Sequence, residues 1–221
     1  MTEKFVALSF DDGPNACDVS NSPEADGCNT MNDMLDVLEK HGVAASFFLI
    51  GNKICEQNKK VILRALSLGC DIENHSWSHP NMPEKDLSEA QIFDEFLRAD
   101  DAIFDVTGKR PQFFRPPYLS VNQAMYRTIP LPFIAGHPCD DWLEEASVED
   151  RLSKMLSGAQ DGTIFLLHVD DGNFKTVEVV DRAIPILKAR GFSLATVPEL
   201  FCIKGVVPTR GKMWTVVGDR G

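Results

Sequence analysis

The chain has 221 residues, 43% hydrophobic and 25% charged, the proportions of a soluble globular protein with room for a sizeable core. Its formal net charge of −11 argues against nucleic acid and anionic membranes, both of which call for basic surface. No apolar run approaches the roughly 20 residues of a membrane-spanning helix.

In chain order, short apolar runs alternate with helical patterns. Strands are expected over 5–10, 44–50, 70–73, 112–114, 131–135, 163–167 and 192–196. Most are continuously apolar, as in parallel strands covered on both faces. Between them the first helix is expected over 30–41, with Met31, Met34, Leu35 and Leu38 on one side and a stop at Gly42. A second covers 59–68 and stops at Gly69. A third covers 88–106, opened by Ser88 and Gln91 in capping-box spacing and closed by Gly108. Ser147 and Asp150 open a fourth over 147–157, and a fifth covers 176–190, where Pro185 predicts a kink. This alternation predicts an α/β fold, either a parallel barrel or a doubly wound sheet, as a single domain over 1–221. The residues after Val206 are basic and irregular and receive no assignment.

Two groups of residues carry chemistry. Phe10-Asp11-Asp12-Gly13-Pro14 places a carboxylate pair at the end of an apolar strand. About sixty residues on, His75-Ser76-Trp77-Ser78-His79 places two imidazoles four apart, on one face if that segment makes a helical turn. Together they offer three ligands for a divalent metal and one spare carboxylate to act as a base. A divalent ion so held lowers the pKa of water towards neutrality. Taken singly, Asp-Asp-Gly-Pro reads as a turn and the histidine pair as a solvated surface feature. Arg115-Pro116-Pro117-Tyr118, Asp141-Trp142 and Leu166-Leu167-His168 follow in order.

These five ordered motifs resemble those of the polysaccharide deacetylases, the NodB-homology carbohydrate esterases of family four, over about residues 5–203. The later half resembles the clostridial acetylxylan esterase branch. The resemblance implies a distorted (β/α)7 barrel and a metal-dependent carbohydrate deacetylase. It implies Asp12, His75 and His79 as ligands of one Zn²⁺ or Co²⁺ and Asp11 as general base, oriented by Arg115 through the bidentate contact that a guanidinium favours. His168 would protonate the leaving group, and the Tyr118 backbone N–H would bind the oxyanion. Trp142 and Leu166 would seat the acetyl methyl group. The expected partner is an acetylated polysaccharide or oligosaccharide, with no nucleic acid or membrane partner, and the expected state is a monomer.

One position departs from the family pattern. Pro138 stands four residues before Trp142, where many relatives carry an aspartate that tunes the acid histidine. Its absence implies a poorly tuned His168, and hence cleavage of O-acetyl esters, as in acetylated xylan, over N-acetyl amides. Chitin or peptidoglycan N-deacetylation is the alternative. A non-catalytic sugar-binding relative is a second rival, also suggested by Pro138.

Six cysteines are compatible with free thiols or with disulfides, and sequence does not choose among the pairings. Cys17 and Cys28 flank the acidic loop 15–29 and could bridge it; that loop is expected to border the site. The chain enters a strand without a basic-then-apolar leader, which leaves its compartment open between cytoplasm and a secreted mature form.

Overall fold

The computed structural model describes residues 3–15 and 30–218. The strands are β1 (Lys4–Asp11), β2 (Ser46–Leu49), β3 (Asp71–Asn74), β4 (Phe133–Ile134), β5 (His137–Pro138), β6 (Ile164–His168), β7 (Phe192–Ala195) and β8 (Met213–Trp214). The helices are α1 (Thr30–His41), α2 (Lys59–Ser67), α3 (Glu89–Thr107), α4 (Gln123–Thr128), α5 (Val148–Ser157), α6 (Phe174–Ala189) and α7 (Val197–Ile203). None of these helices is long and apolar enough to cross a membrane.

β1 is the centre of a parallel sheet ordered β3-β2-β1-β6-β5. Its first half pairs with β7, from Lys4 to Ala7, and its second half with β2, from Ser9 to Asp11. β6 runs along its other side, with Asp11 opposite His168. Side chains alternate along a strand. Val6, Leu8 and Phe10 therefore share one face and join the core built with Leu35 and Leu38 of α1 and Val180 and Ile184 of α6. Ala7, Ser9 and Asp11 share the other face. A row of apolar residues followed by a serine and a carboxylate thus brings Asp11 to the interior at the C-terminal end of the sheet.

Local signals explain the helix ends. Ser88 accepts from the Gln91 N–H while Gln91 accepts from the Ser88 N–H, and Gly108 closes α3 at φ 68° with its N–H on Phe104 O. Ser147 and Asp150 form the same reciprocal cap on α5. α6 begins at Phe174, two residues before the expected start, and continues through Pro185. α4 and α7 were not expected.

The 112–114 run, expected as a strand, makes only isolated bridges, Asn74 to Phe114 and Phe114 to Phe133. The reason is Glu73 of β3. Its Oε2 accepts from the N–H groups of Gln112 (2.7 Å) and Phe113 (2.8 Å), so a side chain does the work of part of a ladder. The unassigned tail is also structured. β8 pairs in parallel with β4, and a Thr163–Val216 bridge joins the tail to the start of β6. Together these bridges carry the sheet round into a distorted barrel. Gly162 (φ 88°) is needed there, because a Cβ would lie 1.9 Å from the Val217 carbonyl oxygen.

Cys55, Cys70, Cys139 and Cys202 are free. The Cys17–Cys28 bridge and the greater part of the 15–29 loop lie outside the described residues.

Candidate active site

The motifs converge on one cleft of about 480 Å³, lined by Asp11, Asp12, His75, His79, Pro116, Tyr118, Leu119, Trp142, Leu166, His168 and Asp170. Of the nine site residues expected from sequence, all line it except Arg115, which contacts Asp11 from behind. The convergence follows from topology: in parallel α/β barrels, strand ends meet at one rim.

Asp11 and Asp12 part company at the end of β1. Asp11 is 3% exposed and extended. Asp12 adopts φ 73°, a left-handed conformation uncommon for a residue with a side chain. Lys53 Nζ donates to the Asp12 carbonyl at 2.8 Å. Asp12 Oδ1 then lies 3.6 Å from His75 Nε2 and 3.5 Å from His79 Nε2. This oxygen is buried and accepts no hydrogen bond within the described structure. A buried carboxylate oxygen facing two imidazole nitrogens fits a cation, since such an oxygen is costly to leave unmatched. The three donor atoms lie within 4.8 Å of one another.

His75 Nδ1 lies 2.7 Å from the Arg115 carbonyl oxygen. A proton on Nδ1 satisfies that contact, the usual second contact of a metal-binding imidazole, and leaves the Nε2 lone pair on the side of Asp12. His79 lies across from it, ring centroids 4.8 Å apart. The segment makes no helical turn. Residues 75–79 form a bent segment, with Ser76 (φ 66°) and His79 (φ 57°) both left-handed. Burial, and then His75, depress the His79 pKa to about 4, so its ring is neutral at pH 7. Burial opposes ionisation of Asp12, but His75, His168, His79 and Lys53 together hold its carboxyl below the usual range.

Arg115 is fully buried, its guanidinium 4.1 Å over the Phe48 ring. Its contact with Asp11 is single rather than bidentate. Nη1 donates to Asp11 Oδ1 at 2.6 Å, while Nη2 donates to Ser9 Oγ at 2.7 Å. Ser9 and Asp11 share a face of β1, so one arginine spans both. Burial lowers the Arg115 pKa, with Asp11 opposing.

The expectation drawn from Pro138 is overturned. Asp141, 1% exposed, supplies the carboxylate that His168 needs. Its Oδ1 lies 2.9 Å from His168 Nδ1, its Oδ2 accepts from the His168 N–H at 2.7 Å, and Thr176 Oγ1 donates to Oδ2 at 3.0 Å. Burial works against charge on His168, but Asp141, with Asp11 and Asp12, raises its pKa to about 9. The residue that mattered was the one beside Trp142, not the one four before it. With His168 so paired, the reason for a non-catalytic rival falls away.

Trp142 is 51% exposed and stands edge-on to His168, with ring centroids 5.9 Å apart. Leu166 is buried at the cleft floor. The Tyr118 ring is exposed and lies 4.8 Å from that of His79, and Tyr118 itself is left-handed at φ 58°. Asp170 lines the cleft and was not anticipated. Its position two residues after His168 was the available signal.

A buried donor set of one carboxylate and two imidazoles, flanked by an arginine-bound carboxylate and a carboxylate-bound histidine at the rim of a parallel barrel, is the set of groups that metal-assisted hydrolysis calls for. The polysaccharide deacetylase family profile matches residues 1–129, and the chain belongs to that family. It is 39% identical over 98% of its length to a bifunctional xylanase/deacetylase of Pseudobutyrivibrio xylanivorans, covering 34% of that protein. It is 34% identical over 90% of its length to a peptidoglycan-N-acetylglucosamine deacetylase of Listeria monocytogenes, covering 39% of that protein. The chain thus spans little more than a third of these two curated relatives. Among solved structures it is similar to a family 4 acetyl xylan esterase of Clostridium thermocellum, solved with a cobalt ion. There the TM-score is 0.87 at 34% identity, over 97% of this chain and 99% of the other.

Proposed function

We propose that the chain hydrolyses acetyl groups from a neutral glycan, with O-acetyl esters on a xylan-like chain as the preferred substrate. The observation that carries the hydrolytic reading is the pairing across the cleft: Asp11 on Arg115 at one side, His168 on Asp141 at the other, and the Asp12/His75/His79 donor set beside Asp11. Zn²⁺ or Co²⁺ held by Asp12, His75 and His79 would polarise the acetyl carbonyl and lower the pKa of the attacking water.

Asp11 accepts the proton of that water through the carboxylate edge not occupied by Arg115. The Arg115 contact fixes the direction of that edge, because Nη1 and Nη2 are both committed. His168, its pKa raised to about 9, is charged at neutral pH; Nδ1–H is given to Asp141 and Nε2–H delivers its proton to the leaving oxygen. Trp142 and Leu166 offer apolar surface to the acetyl methyl group. The Tyr118 N–H, at the left-handed turn, supplies a dipole for the developing oxyanion.

The substrate preference rests on the xylan-related relatives and on the net charge of −11, which disfavours an anionic polymer. It no longer rests on Pro138. The His168–Asp141 pair supports a second reading, N-deacetylation, because a charged acid serves an amine leaving group as well. The test compares kcat/KM on acetylated xylo-oligosaccharides and on chito-oligosaccharides at matched pH and metal. A higher value on the xylo-oligosaccharides is expected. A clear preference for the chito-oligosaccharides would move the reading to amide cleavage.

A further inference from the structure

Two of the three donor residues sit at the ends of the bent segment 75–79, which belongs to no helix or strand. Two of its residues, Ser76 and His79, take a backbone conformation that side chains disfavour. Its ends are held locally: Oδ1 of Asn74, the last residue of β3, accepts from the Ser76 N–H at 2.8 Å, and Ser76 Oγ from the His79 N–H at 3.1 Å. Its middle is held from outside by one residue of α3. Glu95 Oε2 accepts from the N–H groups of Trp77 (3.1 Å) and Ser78 (2.8 Å), and Oε1 from the Ser78 hydroxyl (2.7 Å).

Neighbouring contacts tie this segment to α3 and to the 51–53 turn. The Arg98 guanidinium, one turn on from Glu95, lies 4.2 Å over the Trp77 ring. A Cβ on Gly51 would come within 2.8 Å of that ring and 2.7 Å of the Ala99 Cα, so α3, the tryptophan and the 51–53 turn are in close contact. Gly51 and Asn52 donate their N–H groups to the Ser76 and Trp77 carbonyls at 3.0 and 2.9 Å. That same turn carries Lys53, which holds the Asp12 carbonyl. Residues 76–78 are thus clamped on both sides, with Glu95 holding two of their backbone N–H groups and the Ser78 hydroxyl.

We infer that Glu95 is a positioning residue that sets the affinity of the metal site by fixing the distance and direction between His75 and His79. It does not line the cleft. The inference rests on Asp12, His75 and His79 being the ligands. Outer contacts that orient ligands typically change metal affinity by about 10–100-fold when removed.

The test is titration of the metal-free protein with Co²⁺, followed calorimetrically, in wild type, Glu95→Ala and Glu95→Gln, with thermal unfolding of each metal-free protein. Glu95→Ala is expected to bind Co²⁺ about 10–100-fold more weakly, and Glu95→Gln, which keeps one acceptor oxygen, to fall between. A purely structural role would lower the metal-free Tm and leave affinity alone, so Glu95→Ala with wild-type affinity overturns the inference. If Glu95→Ala fails to fold, Glu95→Gln decides: weaker binding supports the inference and wild-type binding overturns it. Wild-type protein that takes up no Co²⁺ would end the ligand reading instead. Amide exchange at Trp77 and Ser78 would then decide whether Glu95 holds the segment: faster exchange in the variants supports it, and unchanged exchange overturns it.

Discussion

Asp11 and Asp12 are adjacent in the chain and have opposite surroundings. Asp11 is bound by a buried guanidinium, whereas an Asp12 oxygen faces two imidazole nitrogens. Period-two alternation alone would send the second carboxylate to the opposite face. The left-handed turn at Asp12 returns it to the same cleft. The different surroundings of the two carboxylates, on which the proposed roles of base and ligand rest, could therefore not be drawn from periodicity. His168 teaches the complementary lesson. Counting back from Trp142 led to Pro138, but the partner is fixed in three dimensions by the turn that buries Asp141. Asp141→Asn should remove the charge that raises the His168 pKa. NMR titration of metal-free protein should show His168 titrating near 9 in wild type and at least about one unit lower in Asp141→Asn. An unchanged value would mean that Asp141 does not tune the acid.

At the scale of elements, the helices were the most legible because their ends carry local chemistry: Ser88 with Gln91, Ser147 with Asp150, and Gly108 as a left-handed stop. The missing strand at 112–114 was not legible, because it depends on a carboxylate about forty residues away. Burial raises the Glu73 pKa to about 8 despite its two backbone hydrogen bonds, while the unfolded value is 4.5. Between those values the folded state holds a proton that the unfolded state has lost. Stability from this group is complete below pH 4.5, falls as pH rises and is gone above about 8. Glu73→Gln has no proton to lose. Its Tm should fall less than that of wild type between pH 6 and about 8, by thermal unfolding across that window. Parallel pH profiles in the two proteins would place the proton elsewhere. The bend at 75–79 was not legible for a related reason. Its shape is set by Asn74, Glu95 and the 51–53 turn rather than by its own residues.

At the scale of the whole molecule, the alternation of apolar runs and helices made the parallel α/β class legible, and motif order made the rim legible. Barrel closure was not. It is completed by a tail whose only strand has two residues and whose pairing relies on Gly162 admitting the Val217 carbonyl. The consequence of the whole arrangement is that residues far apart in sequence, from Asp11 to His168, face one cleft with a donor set between them. The most direct test is the rate of acetate release from acetylated xylo-oligosaccharide by Co²⁺-loaded wild type and Asp11→Asn, with bound metal measured in both. The account predicts that the variant retains its metal and loses about 10²–10⁴-fold in rate. Turnover close to wild type in the metal-loaded variant would contradict it.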